Sequence, residues 1–158
     1  MKQSAGILLF RKNKNLKEFF LVHPGGPFFS RKDAGWWTIP KGEILLAEQP
    51  LETALREFEE ETGIRPQGPF MELKPIKQKG GKLVMCWAAE GNLDPATIVS
   101  NTFDIEWPPR SGKLRSFPEI DRAGWFTLQE ARRLINERQV AFLEEIGEYQ
   151  GEKFKTIN

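Results

Sequence analysis

Residues 42–64 read Gly42-Glu43-Ile44-Leu45-Leu46-Ala47-Glu48-Gln49-Pro50-Leu51-Glu52-Thr53-Ala54-Leu55-Arg56-Glu57-Phe58-Glu59-Glu60-Glu61-Thr62-Gly63-Ile64. Leu51, Ala54, Leu55 and Phe58 recur at i, i+3, i+4 and i+7, the spacing of one buried helix face. Pro50 suits an early helical position, where its missing N–H costs little. Gly63 is a C-terminal stop. A helix is therefore predicted over Pro50 to Glu61. Glu57, Glu60 and Glu61 fall at i, i+3 and i+4 on an adjacent face. Like charges so placed repel by roughly 0.2–0.5 kcal/mol per pair. They also crowd the half of the helix where the macrodipole disfavours negative charge. A hard divalent cation removes the conflict, because Mg²⁺ takes oxygen ligands and keeps waters that a phosphate can replace. Such violations of local preference are expected at functional sites. An isolated acidic run would read as a solvated helix face. Here it comes with a leading glycine, an upstream Glu48, Arg56 directly before the first acid, and a closing Gly63-Ile64.

The combination Gly42-x5-Glu48-x7-Arg56-Glu57-Phe58-x-Glu60-Glu61-x-Gly63-Ile64 resembles the Nudix box at every fixed position. The resemblance implies a Nudix α/β/α sandwich, an α/β fold with a mixed sheet, over a single domain of residues 1–158. It also implies hydrolysis of a nucleoside diphosphate linked to another moiety, with Mg²⁺ or Mn²⁺ required. Carried over by position, Glu57, Glu60 and Glu61 would bind metal. Arg56 and Glu48 would form a supporting ion pair, and Gly42 would shape the loop before the helix. The backbone carbonyl of Lys41 is a further candidate ligand. Many Nudix enzymes add a carboxylate from a late loop, a few residues before a Trp. Glu119, six residues before Trp125, is the choice here, with Glu106 and Asp104 as the other candidates. The base that takes a proton from the attacking water would be Glu57 or Glu60.

Composition narrows the alternatives. The net charge of +1 suggests neither a nucleic-acid binder nor a membrane-surface protein. With one His and one Cys, a Cys/His zinc site has too few ligands. Cys86 sits in the apolar run Leu83 to Trp87 and reads as a buried thiol. The apolar stretch Gly6 to Phe10 is too short for a signal peptide or a membrane span, so a cytoplasmic protein is expected. The assembly expected is a monomer or a homodimer, with a small nucleotide as partner.

Along the chain, Ser4 to Arg11 and Glu18 to His23 read as strands joined by a basic turn. Pro24 to Gly35 is a Gly/Pro-rich loop, and Trp36 to Pro40 a short extended piece. Phe70 to Lys79 and Lys82 to Glu90 read as a hairpin across Gly80-Gly81. The second strand is apolar at nearly every position, as if buried on both faces. Asn92 to Pro118 reads as a long, irregular, partly basic segment, followed by a short strand at Gly124 to Phe126. Thr127-x-x-Glu130 is a capping box that opens a helix to about Asn136. A last helix is predicted from Gln139 to Tyr149.

Substrate cues are weaker. Trp37-Thr38-Ile39-Pro40-Lys41-Gly42 resembles the lead-in of dinucleoside polyphosphate hydrolases. Lys41 could set an ammonium beside a polyphosphate. His23-Pro24-Gly25-Gly26-Pro27-Phe28 with Arg31-Lys32-Asp33 resembles a bacterial branch of predicted NTP pyrophosphohydrolases. The His and Tyr usual between the late Glu and its Trp are absent, and the chain's only Tyr is Tyr149. A stacking ring would come from Phe28, Phe29, Trp36 or Trp107. Arg110, Lys113 and Arg115 form a basic loop able to grip distal phosphates. His23 reads as a strand-end residue. Removal of 5′ pyrophosphate from RNA and a non-catalytic nucleotide-binding regulatory module are the competing readings.

Overall fold

The computed structural model describes residues 2–147. Strands β1 (Gln3–Asn13) and β2 (Leu16–Pro24) pair antiparallel, with Asn13 opposite Leu16. Lys14 and Asn15 turn between them at φ 55° and 78°, the two positive angles that suit a tight right-twisted hairpin. Next come β3 (Lys41–Glu43), the helix α1 (Pro50–Thr62), β4 (Met71–Glu72), β5 (Ile76–Lys77) and β6 (Leu83–Glu90). Then follow β7 (Thr102–Glu106), β8 (Leu114–Pro118), β9 (Ile120–Thr127) and α2 (Leu128–Leu134). A third helix, α3, starts at 140 and runs to 147, the last described residue, so the remainder of the predicted Gln139–Tyr149 helix lies outside the described residues.

The main sheet runs β4-β6-β1-β2-β9, with β3 added to β1 and β5 to β6. β6 lies parallel to β1, and the other pairings are antiparallel. Alternate residues of each strand enter opposite cores. Leu8, Phe10, Phe19, Leu21, Val84 and Cys86 pack under α2 and α3, with Leu134, Phe142 and Ile146. Ala5, Ile7, Leu9, Phe20 and Val22 pack under α1 against Ala54 and Phe58. This is the expected α/β/α sandwich with a mixed sheet. β6 feeds both cores, as its unbroken apolar sequence implies. Cys86 is fully buried, and burial pushes its thiol pKa well up. No helix among the described residues is long and apolar enough to cross a membrane.

Three expectations need correction. Phe70–Lys79 is not one strand, because Pro75 offers no donor to the ladder and only β4 and β5, on either side, are paired. The segment Asn92–Pro118 is not irregular throughout, since residues 102–118 fold into the hairpin β7–β8, a separate two-stranded sheet. α2 stops at Leu134 rather than Asn136. Ile135 there turns extended to bridge Trp37, and the Asn136 N–H donates to the Trp37 carbonyl at 2.7 Å.

The extended lead-in 36–40 is fastened from both sides. Val22 and Thr38 exchange backbone hydrogen bonds at 2.9 Å. The buried Gln139 accepts from the Ile39 N–H at 3.0 Å and donates to Thr38 Oγ1 at 2.9 Å. Gly6 lets this strand pass, since a Cβ there would stand 2.4 Å from the Pro40 carbonyl oxygen and 2.6 Å from Lys41 Cβ. Gly6→Ala should therefore destabilise the fold by about 1–3 kcal/mol, read from urea unfolding, and displace Lys41.

Candidate active site

β3 carries Lys41 and Gly42 to the edge of α1. Its register against β1 places Gly42 opposite Ala5 and Lys41 opposite Gly6. A Cβ on Gly42 would meet the Glu57 carboxyl carbon at 2.0 Å. The absence of a side chain thus allows the Glu57 carboxylate to lie directly on the β3 backbone.

Arg56 organises the acids. Its Nε donates to Glu48 Oε2 at 2.7 Å and its Nη2 to Glu48 Oε1 at 3.1 Å, a two-point fork. Its Nη1 donates to Glu57 Oε2 and to Glu60 Oε2, both at 2.8 Å. The loop before α1 is tied to the same fork, because Glu48 also accepts from Thr53 Oγ1 at 2.6 Å and from the Leu45 N–H at 3.2 Å. Arg56 and Thr53 hold the Glu48 pKa down to about 2. Thr53 is a contributor that sequence reading missed, since a Thr inside a helix carries no signal of a partner in the preceding loop.

The remaining carboxyls are crowded. Glu61 is buried, and its pKa is raised well above the ordinary value by burial first, then by the charges of Glu57 and Glu119. Glu57 is raised by burial and by Glu60. Glu119 is raised by burial and by Glu57 and Glu60. Lys41 is lowered to about 8, by burial and by Lys82, against the opposing pull of Glu61 and Glu57.

Backbone bonds bring Glu119 here. The Asn101 N–H donates to the Glu60 carbonyl at 2.8 Å, at the open C-terminal end of α1. The Glu119 N–H donates to the Asn101 carbonyl at 2.8 Å, and the Gly25 N–H to the Glu119 carbonyl at 2.8 Å. The other two late candidates are engaged elsewhere. Asp104 accepts from the Ser116 hydroxyl, and Glu106 accepts from the N–H groups of Arg110 and Gly112 in the hairpin turn.

The candidate substrate residues divide. Phe28 meets Trp107 edge-on at 5.3 Å, while Trp36 packs on Phe29 at 5.7 Å with Lys32 over its ring. Arg110 sits in the hairpin turn at φ 64°. His23 is buried, with Nδ1 2.7 Å from Asp121 and Nε2 2.7 Å from the Lys32 carbonyl, consistent with a structural strand end.

Such a set of hard oxygen donors, repelling one another near Lys41, suits a divalent cation and the polyanion it would neutralise. No group of three or more acidic, His or Cys side chains among the described residues is already drawn into a coordination cage. Glu57 and Glu60 turn instead toward Arg56. The fold and this site define a hydrolase of phosphoric anhydride bonds. The NUDIX domain family model matches residues 1–146, and the chain belongs to that family, whose hydrolases generally use divalent metal ions. The asymmetrical bis(5′-nucleosyl)-tetraphosphatase of Rattus norvegicus is 30% identical over 156 residues, covering 90% of this chain and 91% of that protein. Among solved structures, a C. elegans Ap4A hydrolase binary complex matches with a TM-score of 0.68 at 20% identity, over 94% of this chain and 98% of that one. The NUDIX domain of Shewanella oneidensis NrtR, complexed with ADP ribose, matches at 0.64 and 18%, over 94% and 87%.

The crowding makes stability depend on pH. Groups whose carboxyl pKa is raised in the folded protein favour folding when protonated, and that contribution is lost as pH rises from the ordinary value of 4.5 through the raised ones. Glu48 works in the opposite sense, but only below pH 4.5. Lys41 stays charged below about pH 8. In EDTA, the thermal midpoint should therefore fall as pH rises above 4.5. Saturating Mg²⁺ should recover most of the loss at pH 7.

Proposed function

We propose that the protein is a divalent-metal-dependent pyrophosphohydrolase of dinucleoside polyphosphates, with diadenosine tetraphosphate cut into ATP and AMP as the test reaction. The observation that carries this reading is the sharing of Arg56 by Glu48, Glu57 and Glu60, with Glu57 lying against Gly42 and with Glu61 and Glu119 close enough to act on these charges. The likeness to the rat tetraphosphatase over nearly the whole of both chains supports the substrate class.

In this reading Glu57, Glu60, Glu61 and Glu119 hold the metal, Mg²⁺ first and Mn²⁺ as a substitute, with the Lys41 carbonyl as a further ligand. The bound cation would neutralise phosphate oxygens and lower the pKa of the attacking water. Water attacks phosphorus, the bond from that phosphorus to the bridging oxygen breaks, and a nucleotide leaves with the bridging oxygen. Glu57 or Glu60 accepts the proton of the water. The Lys41 ammonium would pair with a phosphate of the polyphosphate chain. Arg56, locked by Glu48, aims Glu57 and Glu60 and does not touch the substrate.

The test is incubation with Mg²⁺ and a panel of diadenosine polyphosphates, NTPs, ADP-ribose, NADH and 5′-triphosphate RNA, with products followed by chromatography. Diadenosine tetraphosphate should give ATP and AMP. Glu57→Gln and Glu60→Gln should each lower kcat by about 10²–10⁴-fold. Preference for triphosphate RNA would replace the substrate assignment and keep the chemistry. Binding without turnover would point to a regulatory module instead.

Arg56→Lys retains the charge but loses the planar fork. Its kcat should fall about 10–100-fold, as for other residues that orient metal ligands. Its thermal midpoint should change little by comparison.

A further inference from the structure

The hairpin β7–β8 has two chemically distinct faces. Its register pairs Phe103 with Phe117 and Ile105 with Arg115, and the Trp107 N–H donates to the Lys113 carbonyl at 3.0 Å. Opposed residues share a face, and alternate residues return to it. One face therefore carries Phe103, Ile105, Trp107, Lys113, Arg115 and Phe117. The burial of β7 alternates in the same sense, with Phe103 and Ile105 partly covered and Thr102, Asp104 and Glu106 exposed. Both acids of the hairpin strands, Asp104 and Glu106, lie on the opposite face, occupied by Ser116 and by the turn N–H groups. Charge along the strands is thus sorted by face, with Lys113 and Arg115 on the face of the aromatic rings and Arg110 in the turn.

The loop 24–35 closes on the aromatic face. A Cβ on Gly26 would meet Phe103 Cζ at 2.8 Å, so that ring lies against the loop backbone. Phe28 reaches Trp107 at 5.3 Å yet remains 57% exposed. Arg115 lies over Phe117 at 5.5 Å. Both walls begin at Glu119, since β8 ends one residue before it and Gly25 is bonded to its carbonyl. At about 3.4 Å per residue, roughly 14 Å separates the Phe103–Phe117 row from the Trp107–Lys113 row. That length accommodates a phosphate together with the base attached to it.

We infer that this face, closed by the loop 24–35, is a subsite for the nucleoside phosphate arm remote from the attacked phosphorus. Arg115 and Lys113 would take its phosphate oxygens, while Trp107 and Phe28 would take its base by stacking, which tolerates any base. The inference rests on the proposed reaction for its place in catalysis, but its chemistry asks only for an aromatic-bearing polyphosphate.

The test compares wild type with a Lys113→Gln/Arg115→Gln double variant and with Trp107→Ala. The readouts are isothermal titration with the β,γ-methylene analogue of ATP in Mg²⁺, and KM for diadenosine tetraphosphate. Both variants should bind the analogue about tenfold more weakly and raise KM in proportion. Trp107→Phe should restore most of the affinity lost in Trp107→Ala. Lys113 and Arg115 are both exposed, so the double variant tests the site even if Trp107→Ala loosens the hairpin. Affinity within about twofold of wild type in the double variant overturns the inference, whatever the protein hydrolyses. If wild type cleaves nothing in the panel but the variants lose analogue affinity, the subsite stands and the proposed reaction falls.

Discussion

Electrostatic crowding around Arg56 is the constraint on which the site depends. One guanidinium serves Glu48 through a fork and Glu57 and Glu60 through a shared Nη1. Glu57, Glu61 and Glu119 all have raised pKa values, through burial first and then through neighbouring carboxylates. Because Glu48 also fastens the 43–49 loop through Thr53 and Leu45, the same arginine sets both the direction of the acids and the path of the chain into the helix. Burial and neighbouring carboxylates both disfavour the ionised form of these acids, and in the proposed reading a bound cation would reverse that preference.

The sandwich supplies rigidity where this arrangement needs it. α1 is held on the sheet by Ala54 and Phe58, while its other flank remains free for carboxylates. The lead-in strand is fixed by Val22 and Gln139 before it delivers Lys41 and Gly42. The two glycines that face this edge, Gly6 and Gly42, allow backbone to approach where any side chain would intrude.

Much of this was legible in the sequence because it is local. The periodicity of α1, the Gly63 stop and the capping box at Thr127 each depend on neighbours within one or two helical turns. The parallel pairing of β1 with β6 was not legible, since it joins residues about eighty positions apart. The hairpin β7–β8 was obscured by Pro108, Pro109 and its charges. The strict alternation Phe103-Asp104-Ile105-Glu106-Trp107 was the available signal of a strand with one covered face. Glu119 could be nominated from its distance to Trp125, but its arrival beside α1 depends on the Asn101 and Gly25 backbone bonds, which leave no trace in composition. The division of Arg110 from Lys113 and Arg115 likewise required the register.

β7–β8 shares no ladder with the main sheet. Shortening, lengthening or exchanging it would break none of the strand pairings that hold β1, β2, β6 and β9 in register. In the subsite reading proposed above, the hairpin could vary without disturbing those pairings, provided that the bonds of Glu119 to Asn101 and Gly25 at its base are kept. For engineering, residues 102–118 are the segment to vary, with Asn101 and Glu119 at its two ends held fixed.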